Sequence, residues 1–89
     1  MRLLLRTGSS GQPVRHLQSS INFLQIVSPP LAVDGIFGPK TQAAVIAFQR
    51  ALHLTTDGIV GPLTGQALAG TLFLAMIRPA QLRGVIKPN

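Results

Sequence analysis

Asp34-Gly35-Ile36-Phe37-Gly38-Pro39-Lys40-Thr41-Gln42-Ala43-Ala44-Val45 returns 23 residues later as Asp57-Gly58-Ile59-Val60-Gly61-Pro62-Leu63-Thr64-Gly65-Gln66-Ala67-Leu68. Seven of the twelve positions are identical, so the chain carries an internal repeat, a feature that decides a fold before any local propensity does. Each copy reads as a tight turn that feeds a helix. Asp can bond its own backbone two residues on, and Gly supplies positive φ. Gly38 and Gly61 serve as N-caps, and Pro39 and Pro62 stand at the first helical position, where no N–H is needed.

Working outward, a helix is expected from Gln12 to about Leu24, with Val14, Leu17, Ile21 and Leu24 along one face. A second is expected from Pro39 to about Leu52, with Ala44, Val45, Phe48, Ala51 and Leu52 inward. A third begins at Pro62, with Leu63, Ala67 and Leu68 inward, and runs to about Arg78, before Pro79. Residues 1–7 can add an extended segment, and Ser28-Pro29-Pro30 breaks the chain between the first helix and the first repeat. A weaker echo pairs Val14-x-x-Leu17-Gln18 with Val45-x-x-Phe48-Gln49. Either Gln is a good helix former at the core boundary, or it faces a ligand. The fold class is therefore all-α, with three helices and an apolar, basic extension over 70–89. Leu72–Ile77 is apolar on every side, which fits either a contact with a partner or second copy, or folding back on the first two helices.

The chain has 89 residues, enough for one small domain that buries only roughly 60–65% of its unfolded surface. It has no cysteine, so neither a disulfide nor a thiolate metal site is available. Charged residues make up 11%, well under the ordinary share of about 25%. The net charge of +6 favours an anionic neighbour. Nucleic acid is not expected: the basic residues are scattered, helix two offers only Lys40 and Arg50, and Tyr and Trp are absent. No signal peptide is evident at the start, and no apolar stretch approaches the ~20 residues of a membrane span.

Catalysis is poorly supplied. Asp34, Asp57, His16 and His53 are the only side chains suited to proton transfer near neutral pH, and both Asp residues belong to the turns. The two His lack metal-ligand spacing, and no cofactor or metal is expected. Lys40 opposes the helix dipole in the first turn of helix two, where the second copy has Leu63. It is either a solvated side chain or part of a small anion site.

These ordered pieces resemble the peptidoglycan-binding domain-like family of wall hydrolases. They are Leu5 to Gly11, Val14-x-x-Leu17-Gln18, the first repeat, Ala44-Val45-x-x-Phe48-Gln49 and the second repeat, together spanning about residues 3–69. The resemblance implies a compact three-helix bundle over 1–69, peptidoglycan as ligand, and a non-catalytic role that targets an associated hydrolase to the bacterial wall. Carried over by position, it nominates Asp34, Gly35, Phe37, Gly38, Lys40, Thr41, Asp57, Gly58, Gly61 and Thr64 as ligand-binding. Phe37, opposite Val60 in the second copy, is either a surface contact for sugar or lactyl groups or a core residue. With no catalytic domain or export signal in view and an apolar extension present, an alternative is a bacteriophage tail or baseplate component anchored through residues 70–89.

Overall fold

A computed structural model describes residues 4–77. Three helices follow one another: α1 (Gln12–Phe23), α2 (Pro39–Ala51) and α3 (Pro62–Ile77). The expected starts at Gln12, Pro39 and Pro62 are all met, and the expected ends of α1 and α2 fall one residue late. The expected stop of α3 near Arg78 and Pro79, and most of the 70–89 extension, lie outside the described residues. Within them, α3 crosses position 70 unbroken.

Each helix buries one stripe. On α1 it is Val14, Leu17, Gln18 and Ile21; on α2 it is Thr41, Ala44, Val45, Phe48 and Gln49. Spacings of three, four and seven keep these residues on one face. A glutamine therefore lies within the buried stripe on both helices, Gln18 on α1 and Gln49 at the C-terminal end of the stripe on α2. On α3 Thr64 is buried, and Ala67 and Leu68 are half-buried. Leu63, expected inward, is 72% exposed, because Thr64 takes the inward place in that turn. Ala51 and Leu52 were also expected inward and are exposed. They stand at the end of α2, on an open apolar groove shared with Leu24, Ile26, Leu74 and Ala75, which no described element covers.

The N-terminal segment is extended and ties the two repeats together. Leu5 and Val60 exchange both backbone hydrogen bonds, at 3.1 and 2.8 Å. Further on, Phe37 N–H donates to Ser9 O (2.9 Å), Gly8 N–H to Phe37 O (3.0 Å) and Gly11 N–H to Gly35 O (2.9 Å). Leu5, Val14, Leu17, Ile21, Leu31, Phe37, Ala44, Val45 and Val60 make one core cluster. Phe37 and Val60, the same position of the two copies, both point into it.

α1 and α2 end alike. Ile26 N–H reaches Ile21 O and Gln25 N–H reaches Asn22 O; Leu54 N–H reaches Gln49 O and His53 N–H reaches Arg50 O. These are paired Schellman bonds, and they put Gln25 (φ 56°) and His53 (φ 59°) in the left-handed region. That region costs a residue with a Cβ roughly 1–2 kcal/mol. Part of this returns as unfolded-state entropy when Gly is introduced, so Gln25→Gly and His53→Gly should each stabilise the domain by about 0.5–1 kcal/mol. Urea denaturation of the single and double variants checks this.

Candidate functional site

Each repeat is built around the polar residue of the preceding helix's buried stripe. Gln18 Nε2 donates to Asp34 Oδ1 (3.0 Å), Ile36 O (3.0 Å) and Thr41 Oγ1 (3.1 Å), while its Oε1 accepts Gly35 N–H (2.9 Å). Gln49 does the same with Asp57 Oδ1 (3.0 Å), Ile59 O (3.1 Å), Thr64 Oγ1 (3.1 Å) and Gly58 N–H (2.9 Å). An amide group has two N–H donors and one carbonyl oxygen, so one side chain can serve turn and helix start together. The two readings of these Gln residues as ordinary helix formers or as ligand contacts both give way. Gln18 is 1% exposed and Gln49 0%, and each is a structural hub.

The Asp residues complete the turns. Asp34 Oδ1 also accepts Ile36 N–H (3.0 Å), and Asp57 Oδ1 accepts Ile59 N–H (2.9 Å). Gly35 and Gly58 occupy φ +76° and +74°. A Cβ on Gly35 would lie 3.2 Å from Arg15 Cγ and 3.3 Å from Gly11 O, and one on Gly58 3.0 Å from Gln42 Cγ, so a side chain at either position would be strained by the positive φ and would crowd its neighbours.

Both carboxyls are held below the usual carboxylate range. At Asp34 the Ile36 N–H is the main cause, then the Gln18 amide, with Arg15 adding a weaker pull. At Asp57 the causes are the Ile59 N–H and then Gln49. A lowered folded-state pKa contributes stability that is present above the unfolded value, about 3.9, and lost as pH falls through the folded one. The wild-type melting temperature should therefore drop below about pH 4. In Asp34→Asn/Asp57→Asn the amide oxygens still accept from Ile36 and Ile59, so melting between pH 4 and pH 2 should depend less on pH. Thermal melts across that range check it.

An open groove of about 330 Å³ lies on the first repeat. Leu31 and Ala32 form one wall, Asp34 and Ile36 the floor and rim, and Gly38 to Thr41 the other wall. Asn22 braces the first wall, donating to Leu31 O (2.9 Å) and accepting Leu31 N–H (2.8 Å), and Arg15 donates to Val33 O (3.1 Å). A similar groove of about 450 Å³ lies on the second repeat, between Leu54-Thr55 and Gly61 to Thr64.

The nominated residues divide by depth. Asp34, Gly38, Lys40 and Thr41 line the first groove, and Asp57, Gly61 and Thr64 the second. Gly35 and Gly58 are buried beneath and line neither. Phe37 is 1% exposed, so of its two readings the core one holds. An extended stretch sends neighbouring side chains to opposite faces, and it is Ile36, 59% exposed, that reaches the groove. Ile36 and Ile59 are not among the nominated residues, because the sequence does not show which of the two adjacent apolar residues, Ile36 or Phe37, faces outward. Asn22 and Arg15 carry no local signal, since their partners lie in the loop that follows. Among the described residues, no three His, Asp or Glu gather as a metal site, and no helix is long and apolar enough to cross a membrane.

Comparison with known proteins places this geometry. The family model described as "Putative peptidoglycan binding domain" matches residues 10–68, which include both hubs and nearly all of both grooves. The zinc D-Ala-D-Ala carboxypeptidase of Streptomyces albus G is 50% identical over 60 residues, 67% of this chain and 24% of that protein. A probable N-acetylmuramoyl-L-alanine amidase of Bacillus licheniformis is 34% identical over 67 residues, 75% of this chain and 19% of that protein. The chain thus spans about a quarter or less of these two relatives. The crystal structure of the SleB N-terminal domain superposes with a TM-score of 0.75 at 32% identity, covering 81% of this chain and 96% of that one. A family model that spans both repeats, relatives at this identity and a matching three-helix structure agree: this chain belongs to the peptidoglycan-binding domain family.

Proposed function

We propose that this domain is a non-catalytic module that binds bacterial cell-wall peptidoglycan, and that the first groove takes an anionic part of it. The observation that carries the reading is the family match over residues 10–68, the span that builds the grooves. The relatives named above are a carboxypeptidase and an amidase, and the shared part is a small share of each. That division of labour supports a role in holding an associated hydrolase at the wall. None of these relatives is a virion protein, and no observation favours a phage tail or baseplate. The exposed Phe73, Leu74 and Met76 on α3 are the surface to examine for a protein partner or a second copy, by light scattering of the full chain.

The first groove can hold a stem-peptide carboxylate. Lys40 is exposed on its wall in the first turn of α2, where backbone N–H groups lack intrahelical partners. Apolar Leu31, Ala32, Ile36 and Pro39 surround that point and suit methyl groups beside the carboxylate. The test is co-sedimentation with insoluble peptidoglycan over a salt series. The wild type should pellet, and Lys40→Gln should bind about two- to fivefold more weakly with a flatter salt dependence, the range expected of one exposed charge pair. A protein that stays in the supernatant at every salt concentration overturns the reading.

A further inference from the structure

The two grooves are one groove built twice. Eight of the nine residues lining each are related by the 23-residue repeat, and six of those eight pairs are identical. Ala32 corresponds to Thr55 and Lys40 to Leu63; the ninth place is Gln18 in the first groove and Leu4 in the second. The hub bonds beneath agree pairwise to within 0.1 Å. Shape is therefore kept while the lip changes from cationic to apolar.

Folding does not ask for that lip. The hub uses Asp57, Gly58, Ile59 O and Thr64, and leaves the Leu63 side chain 72% exposed and Leu4 49% exposed. An exposed site in the first turn of a helix ordinarily favours polar or acidic residues. Two exposed leucines facing one concave surface with Ile59, Leu54 and Pro62 are a contact surface in search of apolar atoms. Polar anchors are still present: the Thr55 hydroxyl and the free lone pairs of the Asp57 carboxylate, which can accept amide or hydroxyl hydrogens.

We propose that the second groove is a separate ligand site for an uncharged, methyl-bearing part of the polymer, such as acetamido, lactyl or alanyl groups. This rests on the peptidoglycan reading above and adds to it: one module holds the polymer at two chemically different points. Two weak contacts on one ligand raise retention by effective concentration, with no need for either to be tight.

The test is a two-dimensional amide NMR titration of the full chain with a purified disaccharide-tetrapeptide fragment. Two groups of amides should shift, around Ile36 and Lys40 and around Ile59 and Leu63. Raising salt to 0.5 M should weaken the first response at least threefold and the second less than twofold. Leu63→Asp, at a solvent-exposed position and checked by thermal melting, should abolish the second response, keep the first, and lower retention on insoluble peptidoglycan about tenfold. A titration that moves only the first group overturns the second site and leaves the peptidoglycan reading standing. Silence from both groups, with no pelleting, overturns both. A second response that survives Leu63→Asp also overturns this assignment.

Discussion

Gln49→Met will leave the domain largely unfolded at room temperature, although Met matches Gln in length and is no worse a helix former. Four partners lose their bonds at once: Asp57 Oδ1, Ile59 O, Thr64 Oγ1 and Gly58 N–H. Gly58 and Thr64 are buried, so water cannot easily replace what is lost there. A buried donor or acceptor left without a partner costs about 1–3 kcal/mol, and two such groups with the loosened turn add up to about 3–5 kcal/mol. A single core of this size supplies rarely more than about 3–5 kcal/mol of net stability, so the loss is comparable to the whole. Gln18→Met should behave alike, through Asp34, Gly35, Ile36 and Thr41.

The informative companion is Gln49→Glu. At neutral pH its carboxylate has no donor and faces the Asp57 carboxylate and Ile59 O, so it should be worse than Met. Acidification restores one O–H donor to the site. Circular dichroism melts at pH 7 and pH 4 should therefore show partial recovery of the Glu variant on acidification, with no such gain for Met. Equal stability of Gln49→Met and wild type in urea would mean that the hub is incidental to the fold.

What the sequence could and could not convey follows from the range of each interaction. Gly38-Pro39 and Gly61-Pro62 act within one turn of helix, and both helix starts were legible from them. Asp-Gly turns are similarly local, and Gly35 and Gly58 adopt the positive φ that the phrase implies. The hub was not legible, because Gln18 meets partners 16 to 23 residues away. A pattern of apolar spacing counts Gln as an interruption of the stripe, when it is a fully buried member of it. The repeated Val-x-x-apolar-Gln was the available clue, since a duplicated residue that serves a duplicated turn must be duplicated with it. Inward positions failed where a neighbour was lacking. Leu52 has the right spacing but sits where no described element covers the helix end, and Leu63 yields to Thr64, whose hydroxyl is needed by Gln49.

Phe37→Ala and Ile36→Ala, one residue apart, should fail in opposite ways. Phe37 is among the largest fully buried side chains and belongs to the core cluster with Val14, Leu17 and Val45. Its truncation opens a cavity where the N-terminal segment, α1 and α2 converge, at a cost of about 3–5 kcal/mol. A domain this small should then show a strongly lowered melting point or no cooperative melt at all. Ile36 is 59% exposed and touches the first groove, while its backbone N–H and C=O carry the turn. Alanine keeps that backbone, so stability should stay within about 0.5 kcal/mol of wild type. What Ile36→Ala removes is apolar surface for a ligand, and retention on insoluble peptidoglycan should fall several-fold in a protein that melts normally. Melting curves and co-sedimentation on the same two preparations separate the effects. A Phe37→Ala protein that melts as wild type would place the ring outside the core, and an Ile36→Ala protein that binds undiminished would remove the first groove from the contact surface. The physical root of the contrast is the pleat of the short extended link, Ile36-Phe37, that follows the Asp-Gly turn. Because successive side chains alternate in direction, the same Asp-Gly-Ile-Phe phrase delivers one apolar residue to the core and its neighbour to the groove.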